Sequence, residues 1–230
     1  LPYVYHPYVA KYCIKNKKNM ITASYVKEEM KVLDNDAKKA GISILNELGL
    51  DPGIDHLSAM KIIDEVHSKG GNIEEFYSFC GALPSPESID NPFKYKFSWS
   101  PRGVLLAGNN NAKYLKDGKI VEINTINLFK NPIEIDYNGI GSLEVYPNRD
   151  SLSYINVYGI SEANTVMRGT FRYQGWCEIM DGFKRLNLLN DKKYNVKGRK
   201  YSEFIAMLVG LDNNNDIKFK LCNYLNVTEN

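Results

Sequence analysis

Residues 19–48 carry a pattern that restricts the fold more than any other part of the chain. Two short apolar runs, 19–24 and 42–48, predict buried strands. Between them lies a segment whose apolar residues recur every three or four positions, which predicts an amphipathic helix. These residues are Val26, Met30, Leu33, Ala37 and Ala40. Ser24 can cap the start of this helix and Gly41 its end. A strand, a helix and a strand with short joints predict a βαβ unit and a parallel sheet.

The second apolar run leads into an acidic turn, Asn46-Glu-Leu-Gly-Leu-Asp-Pro-Gly-Ile-Asp-His56. Asp51 is in the position of a helix N-cap, and Pro52 in that of the first helical residue. The helix that follows carries an apolar stripe and stops before Gly70. The stripe is formed by Ile54, Leu57, Ile62 and Val66. Ligands of open α/β sheets bind beyond the carboxyl ends of strands. Asp51 is therefore either a structural cap or part of a binding site.

Composition excludes several classes of protein. The chain has a formal net charge of +2 and is 43% hydrophobic and 24% charged. Nothing in this balance points to nucleic acid or to an anionic membrane as a partner. No apolar run reaches the roughly 20 residues of a membrane span. We therefore expect a globular protein without a membrane segment.

Cysteine and histidine usage argues against a metal centre. The four cysteines are dispersed, with no C-x-x-C pair, which indicates reduced thiols in an intracellular protein. They are Cys13, Cys80, Cys177 and Cys222. His6, His56 and His67 lie in unrelated contexts. The ligand count is too low for zinc, and we predict no metal site.

Beyond about residue 70 the pattern changes to short strands and turns. Alternation or apolar runs predict strands, and Ser100-Pro101 predicts the start of a helix that runs towards Leu115. The predicted strands cover residues 73–82, 93–99, 119–123, 133–137 and 143–146. Local turns such as Lys116–Gly118 favour antiparallel pairing. We predict a mostly antiparallel α+β region. Gly139-Ile-Gly141 fails the dinucleotide fingerprint, because no third glycine and no helix follow it.

The segment Thr165–Tyr173 predicts a strand with Arg168, Thr170 and Arg172 on one face. Two guanidinium groups beside a hydroxyl could bind carboxylates. The alternative is a solvated polar face with ion pairs, which the pattern alone slightly favours. A helix with an apolar stripe follows, formed by Trp176, Ile179, Met180, Phe183 and Leu186. A further helix is predicted at 202–208, and an Asn-rich surface loop at 212–216.

Several stretches, in order and at matching spacing, resemble the central part of the saccharopine dehydrogenase (L-glutamate-forming) family. They are Leu1–Tyr3 with His6-Pro7, Thr22–Tyr25, Asn46–His56, Asp64–His67, Phe79–Pro84, Asn91-Pro92 with Tyr95–Ser100, Arg102–Leu106, Tyr146–Ser151 and Arg168–Gly175. The resemblance fades after about residue 190. It implies an NAD(P)-dependent oxidoreductase of lysine metabolism, which interconverts saccharopine with L-glutamate and aminoadipate semialdehyde.

The resemblance also implies the fold. Residues 1–70 would be the C-terminal part of a Rossmann-type dinucleotide-binding domain. Residues 71–190 would form a mixed or antiparallel-sheet substrate and dimerisation domain, with 191–230 as its helical extension. The family's Gly-rich phosphate loop has no counterpart in this sequence. We therefore expect a fragment of the full enzyme that is inactive in isolation.

Roles are implied position by position. Cofactor-binding positions are Leu1, Pro2, Ala23, Ser24, Leu50, Asp51, Pro52 and Ser100. Saccharopine-binding positions are Ser24, Tyr25, Asp51, Arg149, Thr170, Phe171 and Arg172. Asp51, Tyr25 and Cys80 are the titratable groups expected near the reacting centre. The cofactor is NADP or NAD, since residues outside this sequence make that choice.

The resemblance further implies a homodimer, in the cytoplasm, or in the mitochondrion if the chain belongs to a bifunctional lysine-degrading enzyme. Two alternatives stay open. One is a catalytically silent relative that serves as an interaction module. The other is a dehydrogenase of the same fold that acts on another amine–aldehyde conjugate, against which Arg149, Thr170 and Arg172 argue.

Overall fold

The computed structural model describes residues 1–211 and 216–228, and the chain divides into two compact units, Leu1–Ile73 and Glu74–Asn230. Most of the Asn-rich loop predicted at 212–216 lies outside the described residues. No helix of the described ranges is long and apolar enough to cross a membrane.

The first unit is built on two parallel strands and the helices around them. The strands are β1 (Met20–Ile21) and β2 (Ile44–Leu45), and the helices are α1 (His6–Lys15), α2 (Glu28–Lys31), α3 (Asp34–Ala40) and α4 (Ile54–Ser68). Met20 pairs with Ile44 in parallel register, which confirms the predicted βαβ connection. Both strands are shorter than predicted. Ala10, Met20, Met30 and Leu33 form one buried cluster between the helices and β1.

The amphipathic segment 26–40 is two helices, not the single predicted one. The Leu33 amide bonds the Met30 carbonyl, a tightened turn that brings residues three apart onto one side. Met30 and Leu33 are both buried as a result. Gly41 ends α3 at φ +69°, as predicted. Ser24 is not the cap, because Lys27 precedes α2.

Helix α4 begins at Ile54, with Gly53 at the N-cap position. The prediction of Asp51 as N-cap and Pro52 as first helical residue was therefore wrong. The predicted stripe was also wrong, because Ile54, Leu57 and Ile62 are exposed. The residues that α4 buries are Ala59 and Ile63. The apolar residues of α4 surround much of its circumference, so their spacing alone did not identify the packed face.

The second unit is centred on a six-stranded sheet. Its strands are β3 (Glu75–Cys80), β4 (Ala112–Lys116), β5 (Lys119–Ile123), β6 (Ile133–Tyr137), β7 (Gly141–Pro147) and β8 (Thr165–Tyr173). Strands β5, β4, β8, β7 and β6 lie in that order, and β3 pairs with β8. The β4–β5, β6–β7 and β7–β8 pairs are antiparallel, in line with the mostly antiparallel region that was predicted. Strand β4 itself was not predicted, because a helix was expected to run towards Leu115. The β3–β8 pair is parallel, which the local turns did not indicate.

Helices follow or flank these strands. They are α5 (Pro101–Ala107), α6 (Ser153–Tyr158), α7 (Trp176–Arg185), α8 (Tyr201–Val209) and α9 (Ile217–Leu225). Helix α5 begins where predicted, because Ser100 accepts the Gly103 amide at 3.1 Å, but it ends well before Leu115. Helix α9 lies within the helical extension expected at 191–230, although no local pattern predicted its bounds. Trp176 and Met180 of the predicted α7 stripe are buried.

Residues 93–99 are described in the structure and form no strand, contrary to the prediction. The Asn91 side chain donates to the Tyr95 carbonyl at 2.9 Å and accepts from the Tyr95 amide at 3.4 Å. Both main-chain groups that a sheet would need are thus bound locally. Tyr95 instead joins the core of the second unit, which also includes Tyr146, Trp176 and Cys177.

Candidate functional site

Backbone hydrogen bonds close the turn that follows β2. The Gly49 amide bonds the Pro52 carbonyl and the Ile54 amide bonds the Gly49 carbonyl, both at 2.9 Å. The Asp51–Pro52 peptide is cis, and Gly53 has a φ of +150°. A Cβ atom on Gly53 would lie 2.2 Å from the Gly49 oxygen, so that this backbone path requires glycine.

This turn holds Asp51 against the segment that follows β1. The Tyr25 hydroxyl donates to Asp51 Oδ1 at 2.6 Å. The Glu47 amide bonds the Ser24 carbonyl, and a Cβ on Gly49 would lie 3.0 Å from that of Ala23. The carboxyl ends of both parallel strands thus bring the predicted residues Ala23, Ser24, Tyr25 and Asp51 together, where ligands of open α/β sheets bind.

Hydrogen bonds of the His6 ring connect Leu1 to the same strand end. His6 Nε2 lies 3.2 Å from the Leu1 carbonyl, and its Nδ1 lies 3.0 Å from Thr22 Oγ1. One ring therefore bridges the first residue to the one before Ala23. No sequence pattern predicted this role, because the spacing of His6 and Thr22 matches no known motif.

Two carboxylates, those of Glu47 and Asp55, flank the His56 ring near the acidic turn. His56 Nε2 lies 3.5 Å from Glu47 Oε2, and Nδ1 lies 3.8 Å from Asp55 Oδ2. The other Glu47 oxygen accepts the Val26 amide at 2.9 Å. These contacts join the turn to the residues before α2. Sequence reasoning missed Glu47. In the described part of the chain no group of three or more histidine, cysteine, aspartate or glutamate side chains could hold a metal ion.

In the second unit, the predicted residues Cys80, Thr170 and Arg172 share one face of the sheet. Cys80 is the register partner of Thr170, and Thr170 is also the partner of Tyr146. Two residues after Thr170 in β8, Arg172 pairs with Glu144 of β7. Since side chains of opposed residues point to the same side, this face presents a thiol, hydroxyls, a guanidinium and a carboxylate.

Arg172 is enclosed by aromatic rings. Only 5% of it is exposed. Its guanidinium carbon lies 4.8 Å from the ring centre of Tyr95, 5.1 Å from that of Trp176 and 5.9 Å from that of Tyr146. It donates one hydrogen bond of 2.7 Å to the Phe171 carbonyl. Such stacking holds a guanidinium plane in one orientation.

Arg168 is buried as well, so the alternative of a solvated polar face was wrong. Its guanidinium stacks on Tyr154 at 4.4 Å and donates to the Tyr154 hydroxyl at 2.7 Å. Arg149 differs, since it is exposed and has a φ of +54° just after β7. Phe171 lies on the opposite face, edge-on to Phe79 at 5.6 Å.

Burial shifts the pKa of two side chains near Arg172, those of Tyr146 and Cys177. It raises the pKa of Tyr146, and the nearby Arg172 charge opposes that shift. Burial, reinforced by the charge of Glu144, raises the pKa of the Cys177 thiol far above its usual value. Glu144 is itself buried and accepts the Cys177 amide at the N-terminus of α7, where the helix dipole favours a carboxylate. Tyr146 and Cys177 are therefore neutral at physiological pH.

Known proteins resemble this chain over most of its length. Residues 49–226 match a family model described as the saccharopine dehydrogenase C-terminal domain. The mitochondrial alpha-aminoadipic semialdehyde synthase of Rattus norvegicus is 50% identical over 195 residues, which cover 84% of this chain and 21% of that protein. The saccharopine dehydrogenase [NADP(+), L-glutamate-forming] of Saccharomyces cerevisiae is 49% identical over 193 residues, which cover 83% of this chain and 43% of that protein.

A solved structure matches in three dimensions. Apo histidine-tagged saccharopine dehydrogenase (L-Glu forming) from Saccharomyces cerevisiae superposes with a TM-score of 0.84 at 42% identity. The match covers 98% of this chain and 51% of that one. The chain thus corresponds to about a fifth of the synthase and about half of the solved dehydrogenase chain.

Proposed function

The chain belongs to the saccharopine dehydrogenase family, and we propose that it carries the substrate-binding part of an NADP- or NAD-linked enzyme. That enzyme interconverts saccharopine with L-glutamate and aminoadipate semialdehyde. One observation carries the proposal: Arg172 is almost fully buried and forms no ion pair with a carboxylate in the part of the chain that the structure describes. A buried charge without a partner is costly, so a bound carboxylate would stabilise it.

The chemistry of saccharopine suits the charged groups of the second unit. The molecule has three carboxylates and a secondary amine. Arg172, Arg149 and the Thr170 hydroxyl can bind carboxylates, and the stacked guanidinium offers a fixed fork of donors. Phe171 positions Arg172 through its carbonyl. A ligand held at several charged points meets its reaction partner in a restricted geometry, which is the main catalytic task in a hydride transfer.

In the first unit, Asp51 is the group that would pair with the cationic amine. Tyr25 donates to Asp51 Oδ1 at 2.6 Å, and a carboxylate can accept several hydrogen bonds. Tyr25 would hold the carboxylate in orientation. In the second unit, Cys80 is a further titratable group that could move a proton. Ser24, next to Tyr25, would contact the substrate as well.

The first unit also fits the nicotinamide end of a dinucleotide. Ala23 is small and exposed and Gly49 is partly exposed, so a ligand can approach the backbone at the strand ends. Leu1, Pro2, Ser24, Leu50, Asp51 and Pro52 would line this region. Ser100 is a further cofactor-binding position by resemblance to the family. When bound, the nicotinamide supplies the hydride acceptor or donor. The parallel β1–β2 pair supports a Rossmann-type domain, in which the choice of NADP or NAD depends on residues elsewhere.

The enzyme is favoured over a catalytically silent relative. A silent interaction module would have no need for a buried Arg172 without an ion pair, since such a cation costs stability when no ligand is bound. We further propose a homodimer through the second unit, whose exposed apolar residues include Tyr77, Ile120 and Tyr137. Sedimentation as a monomer at high concentration would contradict the dimer.

By analogy with the mammalian relatives, named as mitochondrial, a bifunctional parent would be mitochondrial and a monofunctional one cytoplasmic.

The test is saccharopine-dependent reduction of NADP or NAD, followed by absorbance, in the full gene product that contains residues 1–230. Turnover that depends on saccharopine supports the enzyme. Absence of turnover with both cofactors would favour the silent relative. The 230 residues alone should not turn over.

A further inference from the structure

Three buried polar atoms around Arg172 have no hydrogen-bond partner in the described chain. They are Tyr95 Oη, Arg172 Nε and Trp176 Nε1. The residues that carry them are 6%, 5% and 3% exposed. Buried polar atoms are bonded in the large majority of cases, and an unsatisfied one costs about 1–3 kcal/mol. Three such atoms in one cluster indicate a site built for a ligand.

The three groups are mutual neighbours. The Tyr95 and Trp176 ring centres are 5.0 Å apart, and the Arg172 guanidinium carbon is 4.8 Å and 5.1 Å from them. Tyr95 comes from the loop before α5, Arg172 from β8 and Trp176 from the first turn of α7. Three separate elements therefore present these side chains to one small region.

The chemistry of the three groups selects the ligand. A guanidinium and an indole N–H can only donate, and a tyrosine hydroxyl can also donate. A cation among three donors requires an acceptor with negative charge. A carboxylate has two oxygens that accept several hydrogen bonds, and the aromatic walls keep competing water away.

We propose that Tyr95 and Trp176 complete, with Arg172, a binding site for one carboxylate of the substrate. This rests on the proposed function and deepens it, because it makes two aromatic residues determinants of specificity for a carboxylate over its neutral amide. A site whose buried donors need an acceptor rejects a ligand that cannot supply one. Glu144, the register partner of Arg172, accepts the Cys177 amide and forms no ion pair with Arg172.

The first test compares Tyr95→Phe with Tyr173→Phe in the full gene product. Both remove a buried hydroxyl, but that of Tyr173 donates to the Pro84 carbonyl at 2.9 Å. Tyr95→Phe should raise the KM for saccharopine about 10-fold or more, with kcat within a factor of two or so and the nucleotide KM unchanged. Tyr173→Phe should lower the melting temperature without changing the KM for saccharopine. An unchanged KM in Tyr95→Phe would overturn the proposal.

A second measurement does not depend on turnover or on a variant. Residues 1–230 contain two tryptophans, Trp176 and the half-exposed Trp99. Titration with glutarate, a plain dicarboxylate, should shift the Trp176 indole N–H resonance and leave that of Trp99 in place. If saccharopine gives no turnover but Trp176 shifts, the proposed function fails and the carboxylate site stands. If turnover is present but neither saccharopine nor glutarate moves Trp176, the site is wrong and the function stands.

Discussion

The Tyr25 hydroxyl lies 2.6 Å from Asp51 Oδ1, although 25 residues separate the two in sequence. Each follows one strand of the parallel pair, so their contact is a direct consequence of the strand–helix–strand connection. A hydrogen bond to a charged group contributes about 1.5–3 kcal/mol. This contact is thus the best-defined arrangement of two predicted active-site residues in the first unit.

Removal of the Tyr25 hydroxyl should weaken catalysis more than folding. Tyr25→Phe removes the hydroxyl that donates to Asp51 Oδ1, and we expect kcat/KM for saccharopine to fall about 10- to 100-fold. Steady-state kinetics of the full gene product measures this. The exposed Tyr8 provides a matched control, and Tyr8→Phe should behave as wild type. Equal kinetics in the two variants would contradict a role for the Tyr25–Asp51 contact.

Gly53 should tolerate no side chain. Gly53→Ala would place a Cβ atom 2.2 Å from the Gly49 oxygen at a φ of +150°, so the turn that holds Asp51 must rearrange. We expect a loss of unfolding free energy of at least about 3 kcal/mol. Gly70→Ala is the control, because Gly70 has a φ of +76° with nothing within 4 Å, and should cost only about 1–2 kcal/mol. Urea denaturation compares them. Similar losses at both positions would show that the turn is not closed as described.

The buried Cys177 thiol predicts a dependence of stability on pH. Its pKa is raised in the folded state, by burial first and by Glu144 second. An unfolded cysteine ionises near pH 8.5, whereas the folded one stays protonated, so folding stability falls as pH rises above that value. Wild type should lose up to about 1.4 kcal/mol per pH unit relative to Cys177→Ala between about pH 8.5 and 10. Parallel stability curves for the two proteins would refute the prediction.

His6 should matter for the nucleotide and not for saccharopine. It joins the Leu1 carbonyl to Thr22 beside the proposed nicotinamide position. His6→Ala should raise the KM for NADP or NAD about 3- to 10-fold, since each lost hydrogen bond costs about 1 kcal/mol. The KM for saccharopine should stay constant. A rise in both constants would mean that His6 supports the whole first unit.

Local patterns predicted much of the fold, for reasons visible in particular segments. Strand Thr165–Tyr173 and the turn at Lys116–Gly118 were predicted because alternation and turn chemistry act within a few residues. The same reasoning wrongly predicted a strand at 93–99, since the Asn91 side chain binds both main-chain groups of Tyr95. The parallel β3–β8 pair joins residues about ninety positions apart, which no local pattern reports.

The candidate site was predictable to a lesser degree. The strand pattern placed Thr170 and Arg172 on one face, and the resemblance to a family added Asp51, Tyr25 and Cys80. Neither could identify Tyr95, Glu144 or Trp176 around Arg172. Their contacts depend on how a loop, a strand and a helix pack together. Nor did the pattern show that Arg168 and Arg172 are buried, because long charged side chains are usually exposed.

The most direct measurement is saccharopine-dependent NADP or NAD reduction by the full gene product, by its Arg172→Gln variant and by Arg199→Gln as an exposed control. We expect turnover in wild type and in Arg199→Gln. We expect at least about a 100-fold loss of kcat/KM in Arg172→Gln, because a substrate carboxylate loses its charged partner. Equal kcat/KM in all three proteins would contradict the assignment of Arg172 to the substrate.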